Sequence, residues 1–116
     1  MSITIYHNPR CSKSRQTLAL LEERDVDIQI VKYLDAELTV QTIADLYKAL
    51  NYDNVRQMMR TKEAEYIDQK LSDESLTDQA LFEAIVATPK LLERPIVVVD
   101  NNAKMGRPPE QVLELL

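Results

Sequence analysis

The sequence predicts an α/β fold in which helices flank a small mixed β-sheet. The chain opens with a strand–helix–strand pattern and closes with a strand–strand–helix pattern, and the long segment between them has the character of helices. An opening unit of this length favours two parallel strands joined by a crossover helix. Helices on both sides of the sheet would cover its apolar faces.

The opening unit follows from residue type and spacing. The segment "SITIY" alternates and is rich in β-branched residues, which predicts a strand that ends at the turn "HNP". The next segment, "SKSRQTLALLEER", contains good helix formers, and either Ser12 or Ser14 could cap its start. The segment "VDIQIVKYL" predicts a second strand. Three apolar side chains are expected on one face of it, namely Val26, Ile28 and Ile30.

The middle of the chain is predicted to be helical. Apolar residues after Thr39 recur at helical spacing, at Val40, Ile43, Ala44, Tyr47 and Leu50. Two shorter helices are predicted in "NVRQMMRTK" and "KEAEYIDQKL". In "TDQALFEAIVATP", Thr77 is the expected cap and Pro89 the expected stop. The apolar stripe of this last helix consists of Leu81, Phe82 and Ile85.

The closing unit reads as a hairpin followed by a helix. Ile96 to Val99 form a short apolar strand, "DNN" is a turn because Asp and Asn tolerate positive φ, and "AKMG" is the return strand. Pro108 and Pro109 suit the first turn of a last helix, "EQVLELL".

Composition limits the class of protein. A chain of 116 residues is predicted to be one domain, residues 1–116. A net charge of −5 argues against a nucleic-acid partner, which would require a basic surface. The single cysteine fits a reducing, cytoplasmic compartment. No apolar run approaches a membrane span, and the amino terminus does not resemble a signal peptide, so no membrane contact is expected.

The segment "YHNPRCSKSR" holds the only cysteine and the only histidine of the chain, together with Arg10, Lys13 and Arg15. Backbone N–H groups and the dipole of the following helix would stabilise a thiolate at Cys11, as would the cations. The same groups would bind an anionic substrate. The alternatives are that Cys11 is a small buried apolar residue, that His7 is structural and that each arginine is a surface charge.

Several thiol and metal sites are excluded by spacing. A phosphatase-like loop needs an arginine where Thr17 stands, and a dithiol redox site needs a cysteine where Ser14 stands. One cysteine and one histidine are too few for a structural zinc site, so no metal is predicted. The single glycine, Gly106, rules out a glycine-rich phosphate loop.

Four segments together resemble one family. "ITIYHNPRCSKSR", "MMRTKE", "RPIVVVD" and "GRPPE" are similar, in order, to the glutaredoxin-dependent arsenate reductase family, in the form that carries "HNPRCSKSR". The resemblance implies a thioredoxin-like three-layer fold with a small mixed sheet and an all-helical insertion, here approximately residues 38–90.

The resemblance also implies a reaction. Cys11 would attack arsenate to form a cysteine–arsenic adduct, glutathione would condense with that adduct, and glutaredoxin would resolve it with release of arsenite. Glutathione is then a co-substrate, and no bound cofactor is expected. The nucleophile Cys11 is joined by three oxyanion-binding arginines, namely Arg60, Arg94 and Arg107. The residues that stabilise the thiolate or bind the anion are His7, Asn8, Ser14 and Arg15, and Pro95 matches a cis proline that faces the cysteine.

Two other functions stay open at this point. The Spx regulators share this fold and bind RNA polymerase without catalysis, although they commonly carry a C-x-x-C motif that Ser14 interrupts here. A reductase or transferase could also act on another oxyanion or on a glutathione adduct. Arg10 stands where well-known arsenate reductases often have a small residue.

Overall fold

The computed structural model describes residues 2–24, 26–35 and 38–116, so residues 1, 25, 36 and 37 of the predicted domain lie outside the described residues. The described residues fall into two compact units. One contains those of Met1–Ala36 and Arg94–Leu116, and the other contains those of Glu37–Glu93. The single domain and the insertion over residues 38–90 stay predictions.

The first unit is built on a four-stranded sheet with the order β2-β1-β3-β4. Its elements are β1 Ser2–Tyr6, α1 Ser12–Glu22, β2 Asp27–Val31, β3 Ile96–Val99, β4 Asn102–Met105 and a 3₁₀ helix over Pro109–Leu115. β1 runs parallel to β2 and antiparallel to β3, and β3 pairs antiparallel with β4. The predicted β-α-β unit and hairpin are therefore confirmed. Asp100 turns the hairpin with a φ of 56°.

The core of this unit lies on one face of the sheet. Ile3 and Ile5 of β1 lie beside Val99 and Val97 of β3, and all four are buried. The remaining buried members of this cluster are Leu21 of α1 and Val112 of the 3₁₀ helix. Full burial of such a side chain stabilises the fold by about 1.5–3 kcal/mol. This packing holds α1 and the C-terminal 3₁₀ helix against the sheet.

Strand β2 is more exposed than its sequence predicts. Val26 and Ile28 pack against the core as expected, but Ile30 is 45% exposed. Because β2 is an edge strand, fewer neighbours cover its side chains.

The predicted serine cap of α1 is wrong. Cys11 is the N-cap residue, and no side chain accepts a hydrogen bond there. The hydroxyl of Ser14 is directed to the preceding loop, where it accepts the N–H of Asn8. The hydroxyl that was predicted to cap the helix is therefore hydrogen-bonded to the loop.

The described elements of the second unit are mainly helical. They are α2 Val40–Leu50, a 3₁₀ helix over Val55–Met58, α3 Ala64–Asp68, α4 Asp78–Ala87 and a 3₁₀ helix over Pro89–Leu91. Thr39 caps α2, and Thr77 caps α4 as predicted, each accepting a backbone N–H at 3.1 Å. A single β-bridge joins Met59 to Leu92.

Helices α2 and α4 pack together through their apolar faces. The buried residues of α2 are Ile43, Leu46 and Leu50, and those of α4 are Leu81, Phe82 and Ile85. The rings of Tyr47 and Phe82 meet with centroids 5.8 Å apart. The apolar stripe predicted for α4 is confirmed. Among the described residues, no helix has the length and apolar character needed to cross a membrane.

Candidate active site

Cys11 lies between the loop that follows β1 and the first turn of α1. Its side chain is 9% exposed. The Cys11 N–H donates to the Asn8 carbonyl at 3.0 Å, and the Cys11 carbonyl accepts the N–H of Arg15 at 3.0 Å. These bonds hold the cysteine backbone on both sides, so the position of its sulfur follows from the loop and the helix together.

Three side chains that the sequence predicts for the site form hydrogen bonds with the backbone of the loop before α1. Asn8 Oδ1 accepts the N–H of Arg10 at 3.0 Å, and the Asn8 N–H donates to Ser14 Oγ at 3.0 Å. Arg15 Nη1 donates to the Pro9 carbonyl at 3.0 Å. The structure thus brings Asn8, Ser14 and Arg15 together around the cysteine loop, where each side chain contacts the loop backbone.

His7 is buried beside this loop. Its Nδ1 lies 2.6 Å from Ser14 Oγ. Burial is the main cause that lowers the pKa of His7, and the charges of Lys32 and Arg15 lower this pKa further against an opposing effect of Glu22. A neutral imidazole is therefore favoured at neutral pH. Ser14 Oγ accepts the N–H of Asn8 and shares a hydrogen bond with Nδ1, in which the tautomer of the ring decides the donor. The predicted support of a thiolate by His7 stays a prediction.

An arginine from the end of the hairpin contacts the cysteine. Arg107 Nη2 lies 3.8 Å from Cys11 Sγ, although the two residues are 96 positions apart in sequence. Arg107 Nε donates to the Arg94 carbonyl at 2.8 Å. The backbone of one predicted arginine thus orients the guanidinium of the other. Both arginines precede proline, and the peptide bonds to Pro95 and Pro108 are cis.

Gly106 allows a close approach between α1 and the segments around Arg107. Its N–H donates to the Pro95 carbonyl at 2.9 Å. A Cβ atom here would lie 2.5 Å from Thr17 Oγ1 and 2.6 Å from Pro95 Cγ. The sequence reasoning missed this role, although the signal was available: Gly106 is the only glycine in the chain and directly precedes Arg107.

Arg60 belongs to the second unit and forms ion pairs there. Its Nη1 lies 2.9 Å from Glu63 Oε1, and its Nε lies 3.9 Å from Glu93 Oε1. Its backbone N–H donates to the Leu91 carbonyl at 2.7 Å. The other predicted site residues all lie in the first unit, namely His7, Asn8, Cys11, Ser14, Arg15, Arg94, Pro95 and Arg107.

The arrangement in the first unit supports nucleophilic chemistry. A guanidinium beside a cysteine sulfur can bind an oxyanion attached to that sulfur. The described contacts of Cys11 Sγ include this one charged donor. Within the described ranges, no group of three or more His, Cys, Asp or Glu side chains could hold a metal ion.

Fold and site together define a class of protein. The mixed sheet, with a helix that begins at a lone cysteine, is a thioredoxin-like architecture with one thiol. The model of the ArsC family matches residues 6–115, so the chain belongs to the ArsC family. The resemblance and the fold class expected from the sequence are therefore confirmed, whereas the "HNPRCSKSR" form within the family stays a prediction.

Named relatives cover the whole chain. An arsenate reductase from Haemophilus influenzae is 49% identical over 116 residues and is covered, like this chain, over 100% of its length. The uncharacterized protein YfgD of Escherichia coli is 51% identical over 98% of this chain and 96% of its own. The solved structure of an arsenate reductase from Vibrio cholerae is 53% identical, with a TM-score of 0.98 over 100% of this chain and 98% of that one.

Proposed function

We propose that the protein reduces arsenate to arsenite with thiols supplied by glutathione and glutaredoxin, and that Cys11 is the nucleophile. The observation that carries the proposal is the contact of Arg107 Nη2 with Cys11 Sγ at 3.8 Å. It sets a permanent cation against the only sulfur nucleophile of the chain. The names of the relatives from Haemophilus influenzae and Vibrio cholerae support the choice of substrate.

The reaction balances with two external thiols. The Cys11 thiolate attacks arsenic(V), so that a sulfur–arsenic bond forms and one oxygen leaves as water. Glutathione then displaces a second oxygen, also as water. The glutaredoxin thiolate attacks the glutathione sulfur, the bond from that sulfur to arsenic breaks, and its electron pair stays on arsenic, which becomes arsenic(III). Water hydrolyses the remaining Cys11–arsenic bond and releases arsenite, while glutaredoxin keeps glutathione as a mixed disulfide.

The arginines bind the oxyanion in this proposal. A tetrahedral dianion needs several donors at fixed angles, and a guanidinium offers them in pairs without losing its charge. Arg107 is oriented by the carbonyl of Arg94, which aligns its fork beside the sulfur. The family resemblance adds the guanidinium of Arg94 and that of Arg60, which would exchange its pairing with Glu63 for the oxyanion.

The remaining predicted residues are assigned positioning roles. The hydrogen bonds that close the loop around Cys11 involve His7, Asn8, Ser14 and Arg15, so these residues hold the nucleophile rather than contact the reacting atoms. Pro95 is assigned to the wall that faces the cysteine. We also assign the protein to the reducing cytoplasm, because a single free thiol and a glutathione co-substrate both suit that compartment.

The direct test is NADPH oxidation coupled through glutathione reductase, with arsenate, glutathione and glutaredoxin present and the arsenite product measured. Cys11→Ser is expected to abolish turnover, because a serine hydroxyl is a far poorer nucleophile at neutral pH. Ser12→Ala is the matched control, since Ser12 is exposed and adjacent. In the same assay, Arg107→Lys is expected to raise the KM for arsenate about tenfold or more, whereas Arg24→Lys is not.

Full activity of Cys11→Ser would remove the proposed nucleophile. If the wild-type protein forms no arsenite while Cys11 reacts readily with other oxyanions or glutathione adducts, the substrate is wrong and the thiol chemistry stands. If it shows neither activity but retains RNA polymerase in a pull-down, the regulator reading replaces the enzyme.

A further inference from the structure

We propose that three exposed cations beside Cys11 select an anionic thiol as the second substrate of this site. The cations are Arg10, Lys13 and Arg15, called here the basic rim. The inference rests on the proposed function, because it names the chemical class of thiol that resolves the adduct. It adds to that function that the thiol is selected by exposed residues, for which the described structure shows no contact with Cys11 Sγ.

The basic rim stands out against the charge of the whole chain. The protein carries a net charge of −5, yet the segment from Tyr6 to Arg15 contains three cations and no acidic residue. Burial is the main cause that lowers the pKa of His7, Lys32 and Arg15 lower it further, and Glu22 opposes them. The segment that carries the cysteine is therefore positively charged in an acidic molecule, and such charge attracts anions at short range.

Burial separates the rim from the reacting sulfur. Cys11 is buried, whereas all three rim residues are exposed. A small tetrahedral oxyanion bound to Sγ would lie beside the Arg107 guanidinium, which contacts the sulfur. A larger thiol must bring its own sulfur inward and leave the rest of its body outside. The rim can therefore contact groups that project from an incoming thiol and has no need to contact the oxyanion.

Hydrogen bonds hold the backbone of Arg10 and the guanidinium of Arg15. The N–H of Arg10 is held by Asn8 Oδ1, and Arg15 Nη1 is held by the Pro9 carbonyl. Arg10 is the covalent neighbour of Cys11, so the two Cα atoms are about 3.8 Å apart across a trans peptide. Because the loop backbone at Arg10 and the Arg15 guanidinium are held, less ordering is needed when a ligand binds.

The chemistry of the rim matches a thiol that carries carboxylates. Guanidinium groups bind carboxylates through paired hydrogen bonds, and lysine adds a mobile point charge. Glutathione has two carboxylates, one on either side of its thiol, and a net negative charge. A neutral thiol of similar reactivity lacks these contacts. The rim should thus favour the anionic thiol over the neutral one in the step that follows formation of the arsenic adduct.

The test uses thiol–disulfide exchange without arsenate. The Cys11 thiolate attacks a disulfide probe, one probe thiolate leaves, and the other half stays bound to the protein. The probes are dithiobis(nitrobenzoate), which is a dianion, and dithiodipyridine, which is neutral. Both leaving groups are coloured, and the single cysteine makes the signal unambiguous. The ratio of the two rates cancels any change in the reactivity of the sulfur itself.

Arg10→Ala is expected to lower this ratio by about threefold or more at low ionic strength, and added salt should reduce the difference. Arg10→Lys should keep most of the ratio, because it keeps the charge. Arg24→Ala is the matched control: it removes the same charge from an exposed arginine beyond the other end of α1. Lys13→Gln is a second rim variant, expected to lower the ratio as well.

The steady-state reaction gives the second readout. Arg10→Ala should raise the KM for glutathione and leave the KM for arsenate unchanged. A ratio that stays at the wild-type value in both Arg10→Ala and Lys13→Gln would overturn the proposal, as would an equal fall in Arg24→Ala. Because the exchange reaction contains no arsenate, failure of the rim is distinguishable from failure of the proposed function, which would show as absent arsenite formation by the wild-type protein.

Discussion

The role expected of His7 from the sequence differs from the environment that the structure gives its side chain. In the sequence it is a titratable group four residues before the cysteine. In the structure it is 5% exposed and hydrogen-bonded to Ser14. Because burial and neighbouring cations lower its pKa, the uncharged ring is the favoured form. The imidazole contacts the cysteine loop through Ser14.

The lowered pKa of His7 predicts a pH dependence of stability. The unfolded chain takes up a proton near the ordinary value of 6.5, whereas the folded chain does so at lower pH. Between these two pKa values the unfolded state binds more protons, so the stability contributed by His7 is complete above 6.5 and is lost as pH falls through that window. Urea unfolding at about pH 7.5 and about pH 5.5 should show a larger loss for the wild type than for His7→Gln.

The comparison with His7→Gln isolates the histidine, because carboxylates that titrate on the acidic side are common to both proteins. Equal losses in the two proteins would show that His7 has the same pKa in the folded and unfolded chain. A larger loss in His7→Gln would reverse the assigned sign.

At the level of elements, local signals were predictable and long-range ones were not. The caps by Thr39 and Thr77 depend on a side chain and a backbone N–H three residues away, so the pattern around them is sufficient. The hydroxyl of Ser14 fits the same cap pattern, but its partners lie in the loop before the helix. Competition between local and loop partners cannot be read from spacing alone.

Gly106 lies against Thr17 of α1 and against Pro95, and these close contacts support a stability prediction. Gly106→Ala would bring Cβ within 2.5 Å of Thr17 Oγ1 and 2.6 Å of Pro95 Cγ. We expect a loss of about 1–3 kcal/mol in the free energy of unfolding, because the neighbours must shift. Urea denaturation measures it. Arsenate turnover should fall in parallel, since Arg107 follows directly.

A double-mutant cycle with Thr17→Ala provides the control. Removing the threonine side chain relieves the contacts with Thr17 and leaves the one with Pro95 Cγ, so the double variant should be more stable than the sum of the two single losses predicts. Simple additivity would mean that the glycine is not needed for close packing against α1. The hydrogen bond from Thr17 Oγ1 to the Lys13 carbonyl at 2.8 Å is lost in both Thr17 variants and cancels in the cycle.

For the molecule as a whole, the order of elements could be predicted, while sheet order and the site needed the fold. The parallel opening pair and the closing hairpin follow from connection length and turn chemistry. The pairing of β1 with β3 joins residues far apart in sequence, and so does the contact of Arg107 with Cys11. Periodicity does not encode such pairings. The family resemblance supplied Arg107, and the structure supplied its orientation by the Arg94 carbonyl.

One thiol per chain predicts an absolute need for an outside reductant. Reduction of arsenate takes two electrons, and a single buried cysteine cannot form a disulfide within the chain. With arsenate but no added thiol, the wild-type protein should release no arsenite. Turnover should appear when glutathione and glutaredoxin are both added, as measured by quantifying arsenite. Release of one arsenite per chain without thiol would contradict the proposed sequence of steps.

The hydroxyl of Ser14 has an evolutionary consequence. It occupies the place where a resolving sulfur would stand in a two-cysteine motif, and it already ties His7 to Asn8 at 2.6 and 3.0 Å. A sulfur there is larger and forms weaker hydrogen bonds. A cysteine at position 14 would therefore weaken the loop that carries Cys11, and each turnover would still need a cellular thiol to reduce the internal disulfide.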